Sequence, residues 1–146
     1  MSVYPTSDQI AAFVAAPDDG PVVMLNLLRF KPEADSPDEG VSGQEAYAAY
    51  GEKMIAFVES KGGRLIWSGR VEQQLIGTGG DQYDMVALVE YPSRRGFIEI
   101  SSEPYVQEIG VHRAAGLESQ WLIACCEAAP AGATMPETVA AKDKPK

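Results

Sequence analysis

Histidine and asparagine each occur only once in the 146 residues, as His112 and Asn26. The single histidine is informative because imidazole is the side chain whose unperturbed pKa lies nearest neutrality, which makes it the natural proton carrier in acid–base chemistry. One histidine and two cysteines make a poor set of zinc ligands. We therefore expect no metal site, and His112 is the natural candidate for any acid–base chemistry.

Cysteine is almost as scarce, and the two that occur, Cys125 and Cys126, are neighbours. A disulfide between adjacent residues is strained. We expect two reduced thiols in the core of a cytoplasmic protein.

Basic residues and long apolar runs are also in short supply. Twelve Lys and Arg residues stand against 21 Asp and Glu residues, for a net charge of −9. This balance argues against nucleic acid and anionic membranes as partners, since both need a basic surface. No apolar run approaches the roughly 18 residues of a membrane-spanning helix, and the N-terminus lacks the pattern of a signal peptide. A cytoplasmic location is expected.

The remaining pattern predicts one domain with an extension at each end. Residues 1–20 form an N-terminal helical extension, residues 21–126 an α+β domain, and residues 127–146 a disordered, Ala-, Pro- and Lys-rich tail. Within the domain the order is strand, helix, strand, strand, helix, strand. The predicted strands are 22–28, 64–76, 85–91 and 118–126. This order is typical of the ferredoxin-like fold, an antiparallel sheet with two helices on one face and the first and third strands at its centre.

The two central strands lack the alternation expected of a sheet with one wet face. Val22 to Leu28 is apolar except for Asn26, and Met85 to Val89 is apolar throughout. Two helices can cover only one face of the sheet. A second identical chain is the simplest cover for the other face, so the pattern predicts a homodimer.

Three segments carry a resemblance to a known family: 21–28, 87–93 and 112–117. In this order they are similar to the bacterial domain of unknown function (DUF) family thirteen-thirty, of the dimeric α+β barrel superfamily. The likeness runs from about Pro21 to Ala124, with Gly62, Gly63 and Gly69 at matching places. The resemblance implies a ferredoxin-like protomer and a dimer whose two sheets form a barrel. It implies no reaction, because the superfamily includes cofactor-free monooxygenases, lactone isomerases, haem enzymes and stress-responsive binding proteins.

His112 and Asn26 are the candidate catalytic residues. Tyr105, Ile109 and His112 share one helical face, which should pack on the sheet. His112 is either a structural histidine bonded to a backbone carbonyl or a general acid or base at the edge of a cleft. Asn26 needs partners in its apolar strand. These are either a backbone group or tyrosine hydroxyl, or a ligand oxygen that Asn26 would polarise.

Four further residues are candidates for substrate binding. Tyr47 and Tyr50 lie on the inner face of the first long helix and Trp67 on an edge strand, where aromatic residues form either core or pocket wall. Arg113 is a cationic candidate for an anionic substrate group. The acidic residues Asp35, Asp38 and Glu39 do not fit a calcium loop and are interpreted as a solvated face. Nothing beyond a lone histidine supports a haem, and no cofactor is expected.

The sequence thus favours a homodimer that handles a small molecule. The leading hypothesis is a cofactor-free enzyme that performs proton transfer or oxygenation on a small carbonyl or phenolic metabolite. One alternative is a non-catalytic small-molecule-binding or stress-related module with the same pocket. A purely structural dimer with no pocket is the third.

Overall fold

A computed structural model describes residues 3–127 of the chain. The elements within that range, in chain order, are α1 (Ser7–Ala15), β1 (Val22–Phe30), α2 (Gly43–Ser60), β2 (Arg64–Arg70), β3 (Met85–Tyr91), α3 (Arg94–Ser101), α4 (Pro104–Gly116) and β4 (Leu117–Cys125). A single 3₁₀ turn, Gly80–Gln82, precedes β3. The predicted order of strands and helices is confirmed, and the last helical segment is divided before Pro104 into α3 and α4.

The four strands form one sheet in the order β2-β3-β1-β4, and every neighbouring pair is antiparallel. β1 and β3 are therefore central, as predicted. Asn26 lies opposite Ala87 of β3 on one side and Leu122 of β4 on the other. The fold is ferredoxin-like α+β, and its geometry puts the only asparagine in the middle of the sheet.

Helices α2, α3 and α4 pack on one face of this sheet. Met24 and Val89 from the strands meet Tyr50 and Val58 of α2 and Ile109 of α4 in a single hydrophobic cluster. Alternate residues of β1 are buried against the helices, and those between them are half-buried on the opposite face. We call that opposite, helix-free side the outer face of the sheet.

Two glycines allow α2 and α4 to touch at their ends. A Cβ atom on Gly116, the last residue of α4, would lie 2.4 Å from the carbonyl oxygen of Gly43, the first residue of α2. The reciprocal Cβ on Gly43 would lie 2.5 Å from the carbonyl oxygen of Gly116. Neither position can hold a side chain without displacing backbone, so glycine at both fixes how closely the helices approach.

The N-terminal extension is held to the rest of the domain by α1. Its cap is Thr6, whose side chain accepts from the backbone N–H of Gln9. Phe13 of α1 packs edge-on against Phe97 of α3. The Asp18 carboxylate then accepts from the first backbone N–H groups of α3, at 2.8 and 3.2 Å. Negative charge at that helix terminus is favourable.

Two sequence expectations need correction. β2 ends at Arg70 and not near Ile76, because the chain leaves the sheet after Val71; Ile76 is 86% exposed. Both cysteines are free thiols, but only Cys125 is half-buried, and Cys126 is exposed beyond the end of β4. The predicted tail lies almost wholly outside the described residues. Among those residues, no helix combines the length and apolarity needed to cross a membrane.

Candidate functional site

The His112 imidazole is paired with a carboxylate. Its Nδ1 atom lies 2.7 Å from Oδ2 of Asp38, with the side chains 34% and 20% exposed respectively. A carboxylate at Nδ1 holds the Nδ1–H form of a neutral imidazole and leaves Nε2 as the basic nitrogen. His112 therefore faces the loop after β1, and the expectation that it packs on the sheet is wrong.

Asp38 is brought to His112 by a loop that is tied to the end of α4. The backbone N–H of Lys31 donates to the carbonyl oxygen of Gly116, and that of Asp35 donates to Ala115, both at 2.9 Å. These bonds use carbonyl groups at the end of α4 that have no partner within the helix. The interpretation of Asp38 as part of a solvated face is therefore wrong, because the loop holds it against the helix that carries His112.

Asn26 hydrogen-bonds to the backbone with its amide nitrogen and to Gln120 with its amide oxygen. Its Nδ2 atom donates to the carbonyl oxygens of Met24, at 3.3 Å, and Ala87, at 3.2 Å. Its Oδ1 atom accepts from Nε2 of Gln120 at 2.8 Å. Both Asn26 N–H groups thus already bind backbone carbonyls. The expected donation to a ligand oxygen does not fit this arrangement, and Asn26 is instead placed to orient Gln120.

Gln120 also bonds to Arg113, so its contact with Asn26 helps to fix the position of the guanidinium. The Oε1 atom of Gln120 accepts from the guanidinium of Arg113 at 2.6 Å. The ring of Tyr4 lies against the same guanidinium, 5.1 Å from ring centroid to Cζ. Within residues 3–127, Arg113 has no carboxylate partner. The half-buried cation is therefore held by an amide and an aromatic ring.

Three tyrosines form a cluster in the core, and two of them, Tyr47 and Tyr50, lie within range of the Arg113 charge. The rings of Tyr47 and Tyr50 are 5.4 Å apart. Burial raises the pKa of Tyr47 and Tyr50, and the charge of Arg113 partly opposes the shift at both phenols. Burial also raises the pKa of Tyr91, with Tyr50 adding to the effect. All three are neutral phenols at physiological pH, so each offers an O–H donor.

The structure separates Trp67 from these residues. Trp67 pairs with Leu88, which pairs with Leu25, so its side chain lies on the face opposite Asn26. Its indole lies across Gly69 and is 55% exposed. Any substrate-binding role for Trp67 therefore belongs to the outer face of the sheet. It does not involve Tyr47, Tyr50 and Tyr91, which we call the tyrosine cluster.

Two clefts open elsewhere on the surface. One, of about 560 Å³, lies where β1 ends and α2 begins, and its lining includes Lys31, Gln44, Arg70 and Asp84. The other, of about 700 Å³, lies on the solvent side of α2 and includes Phe57 and Tyr105. Neither cleft is lined by His112, Asn26 or Arg113. Over the range that the structure describes, no group of three metal-ligating side chains comes together.

Sequence reasoning missed Asp38, Gln120 and Tyr91 as partners of the candidate residues. Asp38 is separated from His112 by 74 positions, and no local pattern links them. Gln120 carried little signal, because it follows Glu118 and Ser119 in the polar half of its strand. Its amide and that of Asn26 lie on adjacent strands, where they satisfy each other.

Several solved structures share this fold. The RPA0582 protein of Rhodopseudomonas palustris, whose function is unknown, is 40% identical over 88% of this chain and 98% of its own, with a TM-score of 0.79. Its methylated form gives 39% identity over 89% and 97% of the two chains, with a TM-score of 0.81. The Arabidopsis thaliana protein At3g17210 shares the fold, at 13% identity over 75% and 98% and a TM-score of 0.53.

No family model and no curated protein matches the sequence. The assignment to DUF family thirteen-thirty therefore stays a prediction. The identity to RPA0582 extends over nearly the whole of that protein. On that basis, the chain belongs to the same family as the RPA0582 protein of Rhodopseudomonas palustris.

Proposed function

We propose that this protein binds a small carbonyl or phenolic metabolite and moves a proton on it without a cofactor, with His112 as general base. The observation that supports this most strongly is the 2.7 Å contact between His112 Nδ1 and Asp38 Oδ2. A carboxylate that holds one ring nitrogen fixes the tautomer and stabilises the imidazolium that forms when Nε2 takes a proton. A purely structural histidine needs neither property.

The proposed isomerisation needs only the protein and its ligand, and the oxygenation needs dioxygen in addition. Nε2 of His112 takes a proton from a carbon beside a carbonyl, or from a phenol oxygen, and the imidazolium is held by Asp38. Returning the proton to another atom of the ligand gives an isomerisation. Where the resulting carbanion or phenolate reacts with dioxygen instead, dioxygen is the co-substrate and the outcome is oxygenation.

The other candidate residues have supporting roles in this proposal. Asn26 is a positioning residue, because its amide directs Gln120 and through it Arg113. Tyr47 and Tyr50 provide ring surface and neutral O–H donors at the inner side of α2. Together with Arg113 they would hold the ligand, and His112 would act on it.

The non-catalytic alternative also has an observation in its favour. The amide expected to polarise a ligand oxygen has both its N–H groups on backbone carbonyls. A ligand could be bound by Arg113 and the tyrosines with no proton moved. The two hypotheses differ only in what His112 contributes, and an experiment on that residue separates them.

We also propose that the protein is a homodimer joined through the outer faces of two sheets, as in a dimeric α+β barrel. Trp67, Trp121 and Ile123 lie on that face and are 55%, 54% and 43% exposed. Apolar residues of the central strands lie between them, half-buried. A contiguous apolar face of this kind is typical of an interface, and a second copy offers the same surface in return.

Ligand screening followed by an exchange assay tests the proposed reaction. Carbonyl and phenolic metabolites are screened for an increase in Tm, and each compound that stabilises the protein is incubated with it in D₂O. Proton NMR then follows deuterium exchange or rearrangement, and an electrode follows oxygen uptake. We expect His112→Ala to bind the compound but lose about 10²- to 10⁴-fold in rate. An unchanged rate in His112→Ala, or no conversion by the wild type, would contradict the enzyme hypothesis.

Asp38→Asn is the companion variant. It keeps the size of the side chain and removes the charge that stabilises the imidazolium. We expect an intermediate loss of rate without a matching loss of ligand affinity. The midpoint of urea unfolding, measured for each variant, shows whether the fold is intact.

A further inference from the structure

Arg113 is an unpaired cation in a protein with a large excess of acid. Asp and Glu outnumber Lys and Arg by 21 to 12, yet no carboxylate contacts Arg113 within residues 3–127. Its guanidinium is half-buried and donates a hydrogen bond to Gln120. Holding a partly desolvated charge without a counter-ion is costly. The arrangement is therefore one that an added anion would stabilise.

The guanidinium is also held in a defined orientation. Arg113 donates to Gln120, Gln120 donates to Asn26, and Asn26 donates to the carbonyl oxygen of Ala87 on the neighbouring strand. Each amide accepts on its oxygen and donates from its nitrogen, so the chain has one direction and its members polarise one another. A fork-shaped donor that is fixed in this way is pre-organised for a planar anion.

Two phenols near Arg113 add neutral hydrogen-bond donors. Tyr47 and Tyr50 lie close enough for the Arg113 charge to act on both, and they stay protonated because burial disfavours their phenolate forms. The end of α4 that carries Arg113 approaches α2 at Tyr47, whose backbone nitrogen would lie 3.1 Å from a Cβ atom on Gly116. Two neutral O–H donors and a cation therefore lie in one neighbourhood of the fold.

We propose that Arg113, with the hydroxyls of Tyr47 and Tyr50, forms a subsite for the carboxylate or enolate oxygens of a small aromatic ligand. This deepens the proposed function, on which it rests, by naming the substrate class as anionic. The tyrosine rings and Phe30, whose ring lies 5.5 Å from that of Tyr47, supply the apolar wall. The guanidinium pairs with the anion side-on, where both can form parallel hydrogen bonds.

Tyr4 covers one side of the guanidinium. Its ring lies against Arg113 but is 61% exposed, and it belongs to the short segment before α1. The aromatic ring of a ligand could take the same position against the cation. Shortening this side chain in Tyr4→Ala should therefore leave the anion subsite intact and strengthen binding.

Benzoate and benzamide provide matched probes of this subsite. They share shape and ring, but only benzoate carries a charge. We expect benzoate to raise the Tm of the wild type in a concentration-dependent way, and benzamide to do so weakly or not at all. We expect Arg113→Gln to reduce the benzoate affinity about ten- to hundredfold and to leave the benzamide response unchanged. Arg113→Lys, which keeps the charge and loses the fork, should give an intermediate affinity.

The outcomes separate this inference from the proposed function. Equal responses to benzoate and benzamide, or undiminished benzoate binding by Arg113→Gln, would overturn the anion subsite. Backbone amide shifts of Arg113 and Gln120 in wild-type NMR spectra provide a second readout that needs no variant. If benzoate does not move them, the inference is wrong. His112→Ala should bind benzoate normally, so a failure of proton transfer leaves the subsite standing.

Discussion

Oδ1 of Asn26 accepts a hydrogen bond of 2.8 Å from Nε2 of Gln120, 94 residues further along the chain. The bond joins the central strand β1 to the edge strand β4 and leaves the other end of Gln120 for Arg113. A buried amide in a sheet of apolar side chains is thereby satisfied. The same bond connects the middle of the sheet to the side chain that we propose as the anion-binding group.

The strength of this connection can be measured by a double-mutant cycle. Asn26→Ala leaves Gln120 without an acceptor and the Ala87 carbonyl without its donor, so we expect the free energy of unfolding to fall by about 1–3 kcal/mol. Gln120→Ala should cost less when Asn26 is already absent, with a coupling of about 0.5–3 kcal/mol. Ser68→Ala, at an exposed position on β2, serves as control and should change stability by less than about 0.5 kcal/mol. Additive effects of Asn26→Ala and Gln120→Ala would show that the bond does not form.

A second prediction concerns the contact between α2 and α4. Gly116→Ala places a Cβ 2.4 Å from the Gly43 carbonyl oxygen, so backbone must move and we expect a loss of about 1–3 kcal/mol. Gly110→Ala is the matched control in the same helix, because nothing lies within 4 Å of its Cβ. Alanine is the better helix former, and we expect that variant to be about 0.5–1 kcal/mol more stable than the wild type. Urea unfolding compares the two, and equal effects would contradict the close helix contact.

The tyrosine cluster predicts a loss of stability at alkaline pH. The pKa values of Tyr47, Tyr50 and Tyr91 are raised by burial, so the native state keeps protons that the unfolded chain releases. The stabilisation from these phenols is complete below about pH 10, the ordinary pKa of tyrosine, and is lost as the pH rises above that value. Urea unfolding between about pH 9 and 11 should show the decline.

The control for this prediction is a tyrosine outside the cluster. Tyr47→Phe removes one of the raised groups and should make the alkaline decline shallower. Tyr105→Phe removes a hydroxyl from a side chain that is 40% exposed, and the decline should stay as in the wild type. The prediction fails if both variants follow the wild-type curve.

The outer face predicts the oligomeric state. A second copy that covers Trp67 and Trp121 gives a particle of about twice the 15.7 kDa chain mass. Light scattering after size exclusion measures that mass directly. Replacing both tryptophans by lysine places charge in the interface, and we expect a monomer. A wild-type mass equal to one chain would contradict the dimer, and so would a dimer that survives both substitutions.

Sequence patterns were sufficient for the fold and only partly so for the site. The order of the strands and helices was predictable because the patterns that define each element, such as the capping box at Ser42 and Glu45, involve residues close together in the chain. The positions of Asn26 and Trp67 within the sheet also follow from strand order. Whether the two share a face depends on register, and the shift between Leu65 and Trp67 is not visible in the sequence.

The partners of His112 and Asn26 could not be predicted either, because they lie 74 and 94 positions away in the chain. Asp38 reaches His112 only because a loop is tied to the end of α4 by backbone bonds, which any residue can form. We interpreted the acidic loop as a solvated face because charged residues in loops are usually exposed to solvent. The histidine was expected to face the sheet on the basis of helical spacing, and a long-range carboxylate determined its environment instead.

The pairing of His112 with Asp38, which leaves Nε2 available as a base, can be observed by ¹⁵N NMR of the imidazole. The chain has one histidine, so its ring signals need no assignment. At alkaline pH, where imidazole is neutral, we expect the proton to reside on Nδ1 in the wild type. In Asp38→Ala the population should move toward Nε2–H. A wild-type ring protonated mainly on Nε2, or a tautomer ratio unchanged by Asp38→Ala, would show that Asp38 does not hold the imidazole in this form.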